Sequence, residues 1–230
     1  MTRASVILSE LSRAAEAFGE LLDDVVFVGG ATVPCYIDDP AAPDIRPTDD
    51  VDVVVATLTR GAYHRFEDKL RAAGFSNDQS EGAPICRWCF GPSLLFDVMP
   101  TDTSILGFSN PWYQRGFDDA VSFKLPDGTS IRIFALAHFV LSKWEAFRDR
   151  GRDDPTISHD LEDLVAVLDG RTTAEVELEA ASDHEREALR SMCNTFVSSA
   201  ILMEAIEGHL GPGESGRFPR LEALLNRLAR

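Results

Sequence analysis

Three aspartates carry the chemistry that this sequence offers. Asp50 and Asp52 stand one residue apart at the mouth of an apolar run, Val51-Asp52-Val53-Val54-Val55. Side chains at i and i+2 of a β-strand share a face, so a strand here sets the two carboxylates side by side. Like charges that close repel, and keeping both ionised calls for a compensating cation. An oxygen-only donor set suits Mg²⁺. A strand end that reaches solvent also accounts for such a pair. Asp97 lies inside a second apolar run, Leu94-Leu95-Phe96-Asp97-Val98-Met99. A buried carboxylate must be paired, protonated or bound to metal. An arginine ion pair would serve, but the presence of Asp50 and Asp52 favours the metal.

Other residue types could complete such a site. Gly29-Gly30 follows the apolar Val25-Val26-Phe27-Val28 and precedes a helix-like start, with Thr32 as a further hydroxyl donor. A strand, two glycines and a helix start can present backbone N–H groups to a phosphate. A tight turn uses the same residues. Lys143, Ala146 and Arg150 share one helical face, and Arg148 and Arg152 make this the most basic short stretch of the chain. It reads as a polyphosphate clamp or as a solvated helix end. Asp160 and Asp163 open a later helix, where acidic residues complement the macrodipole. Cys86-Arg-Trp-Cys89 has redox or half-zinc spacing, but no second pair follows it. Buried reduced thiols are the simpler reading. Trp112 and Tyr113 could stack on a base or pack locally.

These residues need a scaffold. Periodicity predicts a helix over residues 5–22, a strand over 25–28, a Pro- and Asp-rich loop over 38–47, and a buried strand from Val51. An amphipathic helix follows over 61–74, with Gly74 as its cap. Strands are expected over 85–90 and 94–99, then an irregular stretch over 101–117. A hairpin over 120–125 and 130–134 turns through Pro126-Asp127-Gly128-Thr129. From Leu136 the pattern is helical: 136–150, 158–168 with Ser158 as N-cap, and a long helix from Ser182 to about Ile206. A flexible break follows over 211–216, and a last helix starts at Pro219. Thr172-x-x-Glu175 and Ser182-x-x-Glu185 both match the capping box.

Composition bounds the class. A chain of 230 residues, 44% hydrophobic and 26% charged, can bury a full core without disulfides. Net charge is −16 with pI near 4.6, which disfavours non-specific binding to a phosphate backbone. No apolar run approaches the roughly 18 residues of a membrane span. The first residues lack a basic and then apolar leader, so a cytoplasmic protein is expected.

The ordered set Gly29-Gly30, Asp50-x-Asp52 and Asp97 resembles the polymerase-β-like nucleotidyltransferase superfamily. Arg46-x-Thr48-x-Asp50-Val51-Asp52, Lys143-x-x-Ala146-x-x-x-Arg150 and His159-Asp160-Leu161-Glu162-Asp163-Leu164 are similar to motifs of its AbiEii/AbiGii toxin-like (MenT-like) branch. The likeness runs from about residue 25 to 170. Gly30 stands where Ser is commoner, and the span from Gly30 to Asp50 is longer than usual. The resemblance implies an α/β (α+β) fold: a nucleotidyltransferase-type mixed sheet flanked by helices over residues 1–135, then a helical domain over 136–230 completing a nucleotide cleft. It implies Mg²⁺, two ions or Mn²⁺ in their place, on Asp50, Asp52 and Asp97. Nucleotide contacts fall to Gly29, Gly30, Thr32, Arg46, Thr48, Lys143 and Arg150, and catalysis to the three aspartates with Lys143 and Asp160. The activity implied is transfer of a nucleoside monophosphate from an NTP to a hydroxyl of a tRNA 3′ end or a protein, as a toxin with a cognate antitoxin. A small-molecule acceptor and a catalytically silent binding module are the alternatives.

Overall fold

The computed structural model describes residues 2–57, 59–107, 110–151, 153–211 and 216–230. Arg152 and the break over 212–215 lie outside the described residues. The chain forms two compact units. The first comprises Met1–Cys35 and Arg46–Ala135, and the second Tyr36–Ile45 and Leu136–Arg230.

The first unit is a mixed seven-stranded sheet with helices, an α+β architecture. Its helices are α1 (Arg3–Phe18), α2 (Val33–Tyr36, whose last residue belongs to the second unit), α3 (Arg60–Ala72), α4 (Thr103–Leu106) and α5 (Tyr113–Asp118). Its strands are β1 (Val25–Val28), β2 (Val51–Val55), β3 (Ser76–Asn77), β4 (Arg87–Phe90), β5 (Leu94–Pro100), β6 (Val121–Lys124) and β7 (Ser130–Ile133). The order is β3-β4-β5-β2-β1-β7-β6. β2 runs parallel to β5 and β1 to β7; the other neighbours are antiparallel.

Local sequence explains the elements. Thr2 caps α1 by accepting from the Ser5 N–H, and Ile7, Leu11, Ala14, Ala15 and Phe18 recur on its buried face. α3 buries Tyr63, Phe66 and Leu70 and ends where Gly74 takes φ 96°. Phe18 meets Phe27 at 5.9 Å and Phe96 at 5.2 Å between ring centroids, and Phe75 meets Phe96 at 5.3 Å. Each such burial contributes roughly 1.5–3 kcal/mol. The Tyr63 hydroxyl donates to the Val98 carbonyl at 2.8 Å. This apolar layer leaves the opposite sheet face to Asp52 and Asp97. The stretch read as irregular holds the short α4 and α5, and β3 is a further strand that periodicity does not reveal.

The second unit is helical: α6 (Leu136–Arg150), α7 (His159–Gly170), α8 (Ala174–Glu179), α9 (Asp183–Val197), α10 (Ala200–Leu210) and α11 (Arg217–Leu228). The long helix expected from Ser182 is two helices. The Ser198 hydroxyl turns back on the Asn194 carbonyl, and Ser199 caps α10 by accepting from the Leu202 N–H, so the backbone ladder is interrupted. The capping box at Ser182 and Glu185 forms; the one at Thr172 does not. There the Thr172 N–H donates to Asp38 at 2.7 Å, and Glu175 is taken by Arg227. Tyr36–Ile45 belongs here because Asp38 and Asp39 donate backbone N–H groups to the Gly170 carbonyl. Arg217 joins Asp39 at 2.9 Å to Asp169 at 2.6 Å.

Candidate functional site

β1 ends at Val28, and Gly29 turns the chain with φ 72° and ψ −161°, a conformation open essentially to glycine alone. A 3₁₀ turn over Gly30–Thr32 follows. Sheet register then sets one row across four strands: Val28 opposite Asp52, Asp52 opposite Asp97, Asp97 opposite Arg87. Residues in one row share a face, so Asp52, Asp97 and Arg87 project together. A Cβ built on Gly29 would overlap the Asp52 Oδ2 and stand 2.7 Å from its Cγ. The carboxylate therefore rests on bare backbone. Asp50 sits one residue ahead of β2.

Arg87 binds two of the three acids. Its Nε donates to Asp97 Oδ1 at 2.8 Å, and its Nη2 to Asp97 Oδ2 at 2.8 Å and to Asp50 Oδ2 at 2.7 Å. The hydrogen bonds to Asp97, with the charges of Asp97 and Asp50, push the guanidinium pKa still higher. The sequence favours a metal as the partner of Asp97; the structure gives it an arginine. The three carboxylates are not drawn to ligating distance: among the described residues they form no set whose oxygens all lie within 4.8 Å of one another. The donor chemistry fits Mg²⁺, since all three acids offer oxygen and two of them already share one cation. No local motif marks Arg87; the hairpin pairing of Phe90 with Leu94 is the signal that puts it opposite Asp97.

The neighbouring residues fall as follows. The Thr48 hydroxyl lies 3.4 Å from both the Asp50 carbonyl and its Oδ1. Arg46 donates to the Pro47 carbonyl at 3.1 Å. Thr32 corrects an expectation. Its hydroxyl donates to the Gly29 carbonyl at 2.9 Å and the residue is fully buried, so it braces the turn and offers no ligand a donor. Trp112 is buried and is no stacking platform, and the half-buried Tyr113 packs locally with its hydroxyl on the Met99 sulfur. Cys86 is buried, Cys89 half-buried, and both are free thiols.

The second unit gathers the other set. Lys143, 7% exposed, places its Nζ 3.1 Å from Asp160 and 2.6 Å from Asp163. Arg150 donates from Nε to Asp160 Oδ2 at 2.8 Å and from Nη2 to Oδ1 at 3.1 Å. Asp160 is the hub. Burial pushes its carboxyl up, but Lys143 and Arg150 outweigh that and hold it below the usual range. Arg148 turns elsewhere, onto Glu145 and over the Trp144 ring. Lys143 is thus committed to carboxylates, and Arg150, with 71% of its side chain exposed, is the member of this cluster that solvent reaches.

Compared with known proteins, the chain matches no family model and no curated sequence.

Proposed function

We propose that this chain is a Mg²⁺-dependent nucleotidyltransferase that moves a nucleoside monophosphate from an NTP to an acceptor hydroxyl. One observation carries the reading: Asp52 and Asp97 stand in register on adjacent parallel strands beside the Gly29 turn, with Asp50 tied to Asp97 through one cation. Asp50, Asp52 and Asp97 would hold the metal, one ion or two, with Mn²⁺ as an alternative. Bound there, it supplies charge neutralisation to the attacking and leaving oxygens of an in-line displacement at the α-phosphate. The chain's own groups do the rest. The Cβ-free space at Gly29 is taken by the Asp52 carboxylate and Gly30 is buried, so the glycine turn seats Asp52 rather than a phosphate. A carboxylate oxygen of Asp97 takes the proton of the acceptor hydroxyl as its oxygen bonds to phosphorus and pyrophosphate leaves. In the second unit, Asp160 holds the exposed Arg150 in one orientation, which suits contact with an anion.

The resemblance to the AbiEii/AbiGii toxin-like branch supports a tRNA 3′ end or a protein hydroxyl as acceptor and a cognate antitoxin as partner. The net charge of −16 sets against a long RNA and keeps a small-molecule acceptor as the runner-up. No described helix is long and apolar enough to cross a membrane. A second reading, a silent nucleotidyltransferase-like binding module, is favoured by the Arg87 guanidinium between Asp50 and Asp97.

Incubation with each α-labelled NTP, Mg²⁺ and cell extract separates them. The transferase labels an RNA, a protein or a small molecule only with Mg²⁺, and Asp52→Asn abolishes the label. Equal labelling by Asp52→Asn overturns the mechanism. Absence of both labelling and Mg²⁺-dependent NTP binding establishes the silent module.

A further inference from the structure

We infer that Arg87 is a built-in competitor of the metal: its guanidinium and the ion take the same carboxylate oxygens of Asp50 and Asp97, so metal binding must expel it. The inference rests on the metal reading of the three aspartates and adds the regulation of that site.

The geometry is specific. Arg87 spends Nε and Nη2 as a fork on both oxygens of Asp97 and shares Nη2 with Asp50. A metal ligated by Asp97 needs one of those same oxygens, and a guanidinium bound to both stands in its way. The backbone under Arg87 is pinned. Its N–H donates to the Pro84 carbonyl at 2.9 Å, its carbonyl accepts from the Asp78 N–H at 3.0 Å, and β4 is zipped to β5. The strand cannot carry the arginine away, but its long side chain can swing by rotamer change alone. It has somewhere to go, because the side chain is only partly buried, at 22% exposed.

The chemistry gives the arginine a purpose as well as a cost. Asp50 and Asp97 without a cation between them would repel each other. Arg87 stands between them and offsets that repulsion. A divalent ion concentrates more charge on the same oxygens and can displace it, particularly when an NTP brings further phosphate ligands. By linkage, the factor by which Arg87 weakens metal binding equals the factor by which metal loosens Arg87. The site then fills as a unit, with metal and nucleotide together.

Two measurements test this. The first titrates Mn²⁺ into EDTA-stripped wild type and Arg87→Met, following free Mn²⁺ by electron paramagnetic resonance, with folding checked by circular dichroism. The methionine keeps an apolar stem and removes the charge. Competition predicts Mn²⁺ affinity about fivefold or more above wild type, the low end of ordinary coupling between sites. It also predicts a stripped variant that melts below wild type and gains more from Mn²⁺. Unchanged or weaker Mn²⁺ affinity in a folded variant overturns the role of Arg87 and leaves the metal site standing. Absence of Mn²⁺ binding in wild type and variant alike overturns both.

The second measurement follows the wild type itself and uses the charge-conserving Arg87→Lys only for assignment. The Arg87 Nε–H resonance of wild type, assigned by its loss in Arg87→Lys, is followed during Mg²⁺ titration. It should move away from its hydrogen-bonded position in step with Mg²⁺ uptake measured by calorimetry. Saturation with Mg²⁺ that leaves this resonance unmoved overturns the inference.

Discussion

Gly29 and Asp52 fit as a pair: the Oδ2 of Asp52 occupies the space that any Cβ at position 29 would claim. The contact joins the end of β1 to the residue opposite it on β2, and it needs both the missing side chain and the positive φ. Gly29→Ala meets two penalties. The backbone conformation costs of order 1–3 kcal/mol for a non-glycine residue, and the overlap adds a comparable amount. We expect a loss of about 2–6 kcal/mol in chemical denaturation, and, if the proposed transfer activity holds, its loss as Asp52 is pushed aside. Wild-type stability for Gly29→Ala would show that the turn adapts freely.

The buried lysine and the exposed arginine of the Asp160 cluster should behave differently. Lys143→Met removes a buried cation from Asp163 and leaves Asp160 to Arg150, and breaking a buried pair from one side costs about 3–5 kcal/mol. Arg150→Ala removes a solvent-facing partner, worth roughly 1 kcal/mol or less. Urea unfolding of the two variants checks the order. If Arg150 contacts phosphate, Arg150→Ala also raises the KM for NTP at nearly wild-type stability. Equal destabilisation by both variants would show that Arg150 is a structural member like Lys143.

The local signals in this sequence were legible and the register-dependent ones were not. The valine run of β2, the Gly29 turn, the hairpin through Gly128 and the Ser158 cap each depend on a few adjacent residues. Asp52 and Asp97 could be proposed as neighbours because each interrupts an apolar run. The partner of Asp97 was harder, since naming Arg87 requires the length of the Gly91-Pro92-Ser93 turn to be counted through to the strand register. The capping box at Thr172 failed for a longer-range reason. Asp38, 134 residues earlier, takes the Thr172 N–H, and Arg227 takes Glu175. Likewise, Tyr36–Ile45 is tied to the helical unit through Arg217, 178 residues beyond Asp39. Short-range patterns cannot encode such pairs.

The cysteines should report burial rather than redox chemistry. Burial pushes the Cys35, Cys86 and Cys193 thiols up to about 12, so at pH 8 almost none of each is thiolate. Cys89 is only half-buried. Titration of the native protein with a thiol-reactive dye should modify Cys89 first and the others only on unfolding. Peptide mapping of the labelled protein identifies the site. Rapid native labelling of Cys86 would mean that β4 opens, and a fully oxidised Cys86–Cys89 pair would revive the redox reading.

Acid should loosen the helical unit through Asp160. Its folded-state carboxyl lies below the usual value, where Lys143 and Arg150 prevail over burial. A depressed carboxylate contributes stability that is fully present above the unfolded pKa, near 3.9, and is lost as pH falls through the folded value. The unfolding free energy of the wild type should therefore be flat in this contribution near pH 6 and decline below about pH 4. Asp160→Asn cannot titrate. It should be less stable than wild type at pH 6, with Lys143 and Arg150 short of a carboxylate, and the gap should narrow as pH drops to 3. Denaturation at pH 6, 4 and 3 measures that gap. A gap that stays constant across the range would mean that the two cations do not favour the ionised form of Asp160.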